Sequence, residues 1–141
     1  MTKSLSILSV VLCGVFSFAS DGYAEGELKK LQGTWVGKEI GHENEGEVTL
    51  AIDGDKISFD GWRQGEWYKG TIEVAKQDGR SMLFGTVKEC PIEEFIGKTS
   101  NGIYSLEHDT LTVAARAPGD ADAPKDFDDE NARSFVLKRR K

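Results

Sequence analysis

The chain has 141 residues, which suits one domain and leaves no room for two independent hydrophobic cores. Its formal net charge is −6, and its one basic run is Lys138 to Lys141 at the end of the chain. Nucleic-acid binding needs clustered Lys and Arg that replace phosphate counterions. We therefore expect one domain and no nucleic-acid partner.

The first 24 residues differ from the rest of the chain. Lys3 gives a basic start, residues 5–19 are apolar apart from small Ser and Gly residues, and Gly22-Tyr23-Ala24 suits signal peptidase. A membrane anchor is the alternative, but the run is shorter than the roughly 20 residues that span a bilayer. We predict a signal peptide over residues 1–24 and a mature domain over residues 25–141. That domain would be periplasmic or extracellular, with no stable membrane span after cleavage.

The two cysteines predict no internal disulfide. Cys13 lies in the predicted signal peptide, and Leu12 before it disfavours lipid attachment, which normally follows a small residue. Cleavage leaves Cys90 alone in an oxidising compartment. Because Cys90 is followed by Pro91 and has no nearby histidine, we expect a small buried apolar residue rather than a reactive thiol.

The mature part consists of short segments of alternating character separated by Gly and Asp. Residues 27–32 predict one helical turn, with Leu28 and Leu31 on one face and Gly33 as its stop. Strands are then predicted at residues 34–40, 47–52, 56–60, 66–76, 81–88, 103–107, 110–116 and 133–138.

Turn signals join most of these segments. Asp53-Gly54 and Asp78-Gly79 are typical of hairpins, Asn101-Gly102 opens the sixth strand, and His108-Asp109 is a tight connection. Residues 91–100 predict a loop with a helical turn, and residues 117–131, with six acids, predict a solvated loop. About eight strands in this order predict an all-β fold: a small up-and-down antiparallel barrel, because closure removes exposed strand edges.

The motifs, in this order, resemble the lipocalin-like domains of exported bacterial proteins. The residues that carry the resemblance are Leu28 to Trp35, Gly70 to Val74, Gly102 to Leu106, Asp109 to Val113, Ala117-Pro118-Gly119 and Pro124-x-x-Phe127. The chain departs from the family at Ala123, where a basic residue is common, and in the aromatic insertion around Trp62.

The resemblance implies a role for the tryptophan of Gly33-x-Trp35. In lipocalins this tryptophan closes the narrow end of the barrel and stacks under an arginine. Arg139 and Arg140 are the candidates here. A guanidinium over an indole contributes about 0.5–2 kcal/mol. We therefore assign Trp35 to stability rather than to ligand contact.

The sequence contains no constellation that indicates catalysis. His42 and His108 stand in polar turns without a metal-ligand spacing, and neither a nucleophile elbow nor a phosphate loop is present. Asp120-x-Asp122 resembles the start of a calcium loop, but Pro124 occupies the next ligand position. We predict no enzyme, no cofactor and no metal.

Aromatic residues are the most informative feature for function. Trp62, Trp67 and Tyr68 lie within seven residues around two glycines. They either line a barrel mouth or contact a partner, or they pack across a hairpin with Trp67 and Tyr68 on opposite faces. Phe84 and Tyr104 are expected to face inward beside Tyr68.

Two functions follow, because the interior of an eight-stranded barrel is either filled or holds one small ligand. The first is a binding module for a small apolar or amphipathic ligand, with Trp62, Trp67, Tyr68, Phe84 and Tyr104 as candidate ligand-binding residues. The alternative is a filled barrel that binds another protein or the cell surface through residues 62–68 and the acidic residues 120–130.

Overall fold

A computed structural model describes residues 23–141 as a closed eight-stranded barrel. The strands are β1 (Gly33–Glu39), β2 (Val48–Asp53), β3 (Lys56–Asp60), β4 (Trp67–Gln77), β5 (Arg80–Glu89), β6 (Thr99–Glu107), β7 (Thr110–Ala115) and β8 (Arg133–Arg139). Each strand pairs antiparallel with its neighbours in chain order, and β8 pairs with β1. The predicted small up-and-down β-barrel is therefore confirmed. The predicted signal peptide lies outside the described residues, except for its last two.

Local sequence accounts for most of these elements. In β2, Val48, Leu50 and Ile52 are buried and alternate with less buried residues, as a strand with one face on a core requires. Asp78 and Gly79 both have positive φ, 52° and 76°, and form the predicted hairpin turn.

Two turn predictions are wrong in detail. Asp53 pairs with Lys56, so the loop residues of that hairpin are Gly54 and Asp55, one position later than predicted. Asn101-Gly102 is not a turn, because β6 already begins at Thr99. Gly102 instead permits a close approach of β7: a Cβ atom there would lie 2.8 Å from the carbonyl oxygen of Ala114.

A helix over residues 23–30, here α1, precedes the barrel and is longer than the predicted single turn. Ala24, Leu28 and Leu31 pack against the core, with the i, i+4, i+7 spacing of one helical face. Gly33, with a φ of 120°, follows the helix and redirects the chain into β1. The predicted turn begins later than the helix because Ala24 was assigned to the signal peptide.

The barrel has two different ends. The helix end carries α1 and the hairpins at residues 54–55, 78–79 and 108–109. The loop end carries the connections at residues 40–47, 61–66, 90–98 and 116–132. The connection at residues 90–98 contains the one-turn helix Glu93–Phe95, as predicted. Cys90 lies in the same connection and is half-buried rather than buried as expected, with its Sγ donating to the carbonyl oxygen of Ile92.

The interior of the barrel is filled by apolar side chains. One cluster of buried residues contains Leu31, Trp35, Val48, Leu50, Ile52, Ile72, Val74, Leu83, Tyr104, Leu111, Val113, Phe135 and Leu137. These residues come from β1, β2, β4, β5, β6, β7 and β8 and from the turn after α1. Ile57 and Phe59 of β3 are partly buried and pack against this cluster, so every strand contacts one shared core.

A second, smaller cluster lies on the outer face of β5–β7. Met82, Ile103 and Ala114 are buried there, with Phe84 and Phe127 packed against them. The expectation that Phe84 faces inward is thus wrong: it pairs with Glu73 and Asn101, opposite in phase to inward Leu83. Residues 116–132, here the acidic loop, supply Ala123, Phe127 and Ala132 to this cluster. The loop is therefore packed on the barrel rather than solvated throughout.

Candidate functional site

The helix end is closed by Trp35 and Arg139. Trp35 is completely buried, and its indole N–H donates to the carbonyl oxygen of Leu31 at 2.9 Å. The guanidinium carbon of Arg139 lies 4.2 Å from the Trp35 ring centroid. The same guanidinium donates to the carbonyl oxygens of Lys30, at 2.9 Å, and of Gln32, which the end of α1 leaves without helical partners. The predicted arginine over Trp35 is confirmed as Arg139, and its contacts are structural.

The loop end is closed by a buried group of charged side chains. Glu39 points inward from β1, and the Nη2 of Arg133 in β8 donates to it at 2.7 Å. The Nη1 of Arg133 donates to Glu66 at 2.6 Å. The indole N–H of Trp62 donates to Glu39 at 2.8 Å, and His42 stacks on the Trp62 ring with centroids 5.1 Å apart. We call these five residues the loop-end network.

Hydrogen bonds in the loop-end network keep Glu39 and Arg133 charged despite their burial. Burial acts to raise the pKa of Glu39, but hydrogen bonds from Arg133 and Trp62 outweigh it and hold that pKa below its ordinary value. Burial also opposes the charge on Arg133, yet hydrogen bonds to Glu39 and Glu66 raise its pKa. Glu39 and Arg133 therefore stay ionised, and the network links β1, β8 and the 61–66 connection. Sequence reasoning missed Glu39, although it stands on the inward register of β1 with Trp35.

Arg116 fixes the acidic loop against the barrel. Its Nη1 lies 3.1 Å from Asp120, and its Nη2 lies 2.9 Å from Asp129. Asp129 also accepts hydrogen bonds from the backbone N–H groups of Lys125 and Asn131, which together with Arg116 lower its pKa to about 2. Within residues 23–141, no cluster of three or more His, Cys, Asp or Glu side chains is arranged to hold a metal ion.

A groove opens where β5 and β6 separate. Their pairing runs from Thr86 opposite Thr99 to Met82 opposite Ile103, and Arg80 and Ser81 continue β5 without partners in β6. The groove has a volume of about 400 Å³. Its lining comes from α1, the start of β5, β6 and the acidic loop: Glu27, Lys30, Gly79, Arg80, Ser81, Ile103, Tyr104, Ser105, Leu106 and Phe127.

Tyr104 forms the buried base of this groove. Its hydroxyl donates to Oε1 of Glu27 at 2.8 Å, and Nζ of Lys30 donates to Oε2 of Glu27 at 2.9 Å. Burial, followed by the hydrogen bond to Glu27, raises the pKa of Tyr104 well above its ordinary value. The hydroxyl therefore remains protonated. The apolar part of the lining comes from Leu106 and Phe127, and from Ile103, which is itself buried.

The five predicted ligand-binding residues do not form one site. Trp62 covers the loop end, and Tyr68 lies inside the barrel with its ring 5.9 Å from Phe59. Trp67 lies opposite Asp60 on the outer face of β3–β4, as the opposite-face alternative predicted, and Trp67 and Tyr68 both line a pocket of about 220 Å³. Phe84 lies under the acidic loop, and Tyr104 alone lines the groove. Their role in ligand binding stays a prediction.

Among residues 23–141, no helix is both long and apolar enough to cross a membrane. No protein-family model matches the chain, and neither a curated protein nor a solved structure shows significant similarity to it. The resemblance to lipocalin-like domains therefore stays a prediction.

Proposed function

We propose that the mature chain is an exported binding module that holds one small amphipathic ligand in the groove between β5 and β6. The observation that carries this proposal is the groove itself, whose volume of about 400 Å³ lies within the range of pockets that hold small ligands, roughly 300–1,000 Å³. The barrel interior is filled by the core, so the proposed site lies in the wall of the barrel rather than along its axis.

The lining of the groove supports an amphipathic ligand. Leu106 and Phe127 offer apolar surface, whereas Tyr104 and Ser81 bring hydroxyl groups and α1 brings charged ones. Pockets of this kind bind through apolar contact and use a few polar groups for orientation. The helix and the acidic loop flank the groove, so two separate segments of the chain would contact the ligand.

The test is saturable uptake of an apolar fluorophore by the folded exported protein. Ser105→Trp fills the groove and should abolish binding, because Ser105 is one of its lining residues. The matched control is Ser58→Trp, which places the same side chain on the outer face of β3 beside Trp67. Equal loss in both variants, with circular dichroism showing intact folding, would contradict the groove as the site.

The filled interior also favours a second function, a barrel that binds another protein or the cell surface. Trp67 on the outer face of β3–β4 is the candidate contact. In that case no apolar probe binds the folded protein, and Trp67→Ala loses the partner without loss of stability.

Export is tested separately by N-terminal sequencing. Cleavage after Ala24 predicts that the secreted protein begins at Glu25. It would remove the first two residues of α1 and retain Glu27 and Leu28. Exported material that begins at Met1 would contradict the signal peptide.

A further inference from the structure

Arg80 differs from the other arginines that are not fully exposed. In the described part of the chain these are Arg80, Arg116, Arg133 and Arg139. The last three each lie within 4.0 Å of a carboxylate oxygen, and Arg80 forms no such ion pair among residues 23–141. This is unusual in a chain with 24 acidic residues and a net charge of −6, where a carboxylate partner is easily supplied.

The groove therefore carries an unbalanced positive charge. Lys30 and Glu27 neutralise each other at 2.9 Å, and the remaining charge in the lining is the Arg80 guanidinium. One of its nitrogen atoms, Nη2, donates to the carbonyl oxygen of Pro124 at 2.5 Å, which fixes the orientation of the side chain. A guanidinium has five N–H donors in a planar fork, so donors remain for a second acceptor.

The surroundings of Arg80 indicate what that acceptor is. Leu106 and Phe127 lie in the same lining as Arg80 and offer apolar contact. A carboxylate or phosphate matches the geometry of the guanidinium fork, and charge-assisted hydrogen bonds of this type are the strong ones. A neutral ligand would leave the charge of Arg80 unpaired beside apolar surface, which is unfavourable.

We infer that the ligand of the groove is an amphiphile with an anionic headgroup, bound by Arg80, and an apolar chain that lies against Leu106 and Phe127. This inference rests on the proposed function and adds the chemical class of the ligand. The headgroup belongs either to a free single-chain amphiphile or to a membrane lipid, since both present the same anionic chemistry.

The experiment titrates the mature exported protein with three probes of equal chain length: decanoate, decanol and decyltrimethylammonium. Decanoate should bind about tenfold or more tightly than decanol, the difference that one charge-assisted hydrogen bond implies. The cationic probe should bind most weakly. Arg80→Gln should weaken decanoate binding by a similar factor and leave decanol binding unchanged.

Two further variants keep this result interpretable. Arg80→Lys retains the charge and should recover part of the decanoate affinity. Arg140→Gln removes the same charge at an exposed position outside the groove lining and should change nothing. Because Arg80 also contacts Pro124, the melting temperature of each variant is measured in parallel.

The outcomes separate the inference from the proposed function. Equal binding of decanoate and decanol, unchanged in Arg80→Gln, overturns the anionic headgroup and leaves the binding module standing. No binding of any probe to the folded protein overturns both. A parallel sedimentation assay with phosphatidylglycerol vesicles identifies the source: Arg80-dependent sedimentation indicates a membrane lipid, and decanoate binding without it indicates a free amphiphile.

Discussion

The two ends of the barrel are each closed by a tryptophan and an arginine, but different forces hold them. At the helix end, Arg139 lies over Trp35 and donates mainly to neutral backbone carbonyls. At the loop end, Trp62 donates to ionised Glu39, and Arg133 bridges Glu39 and Glu66. The same two residue types thus serve an apolar closure at one end and a charged closure at the other.

The two closures also differ in how far apart their residues lie along the chain. Leu31 and Trp35 are four residues apart, so the helix end forms from one short segment completed by Arg139. The loop end combines residues from β1, the 61–66 connection and β8. Each of its buried charges destabilises the fold if its ion-pair partner is missing. Stability should therefore fall when a buried side chain is made smaller at the helix end, and when an ion-pair partner is removed at the loop end.

The largest expected effect is at the helix end. Trp35→Ala removes a completely buried aromatic side chain and should lower the free energy of unfolding by about 3–5 kcal/mol. Urea denaturation followed by circular dichroism measures this. Trp67→Ala, on the outer face, is the matched control and should cost much less. An unchanged melting temperature for Trp35→Ala would contradict its role as the plug of the barrel.

A somewhat smaller effect is expected from Arg133→Met at the loop end. It leaves Glu39 and Glu66, whose side chains are 5% and 10% exposed, without a counterion. Breaking a fully buried pair costs about 3–5 kcal/mol, and the 27% exposure of Arg133 places the cost near the lower limit. The double variant Glu39→Met Arg133→Met should regain part of the loss in the same denaturation assay. If it is less stable than Arg133→Met alone, uncompensated charge is not the cause.

Arg139→Gln should cost less still; it removes the cation over the indole, which contributes about 0.5–2 kcal/mol, together with the hydrogen bonds to the carbonyl oxygens of Lys30 and Gln32. Because Arg140 is exposed, Arg140→Gln should have no effect on stability. Thermal unfolding of the two variants side by side tests whether Arg139 alone supports Trp35. Equal melting temperatures would show that neither the stacking nor the hydrogen bonds of Arg139 contribute to stability.

The smallest expected effect is a loss of stability in acid. The pKa values of Glu39 and Asp129 are lower in the folded chain, that of Asp129 at about 2 against an ordinary 3.8. A lowered folded pKa stabilises the protein above the unfolded pKa, and this stability is lost as the pH falls through the folded value. Stability should therefore fall between about pH 4 and pH 2.

Stability measured against pH then tests whether these two carboxylates cause the acid sensitivity. Glu39→Gln and Asp129→Asn should each flatten the loss in acid, because each removes a carboxylate whose pKa is lowered on folding. Trp35→Ala should keep the slope of the wild type. A flattened slope for Trp35→Ala would contradict the assignment of acid sensitivity to the carboxylates.

The groove was the part of the molecule least accessible from sequence. Tyr104 was a candidate ligand-binding residue, but nothing in its neighbourhood along the chain connects it with Glu27, Arg80 or Phe127, which line the same groove. The groove exists because the pairing of β5 and β6 stops at Met82, and pairing between two strands is a long-range property. The residues near Tyr104 in the sequence therefore do not predict the groove.

Local patterns by themselves determined the number of strands, most of their bounds and the closed up-and-down topology. Alternation along β2 and the Asp78-Gly79 turn act within a few residues, so the sequence expresses them directly. The inner and outer faces of β5 were not decidable in this way, because Met82 and Phe84 alternate with apolar Leu83 and both faces are covered. Only the tertiary structure decided that Phe84 lies outside under the acidic loop and that Glu39 meets Arg133. These contacts join segments up to 94 residues apart, and they exist only where the closed barrel brings those segments together.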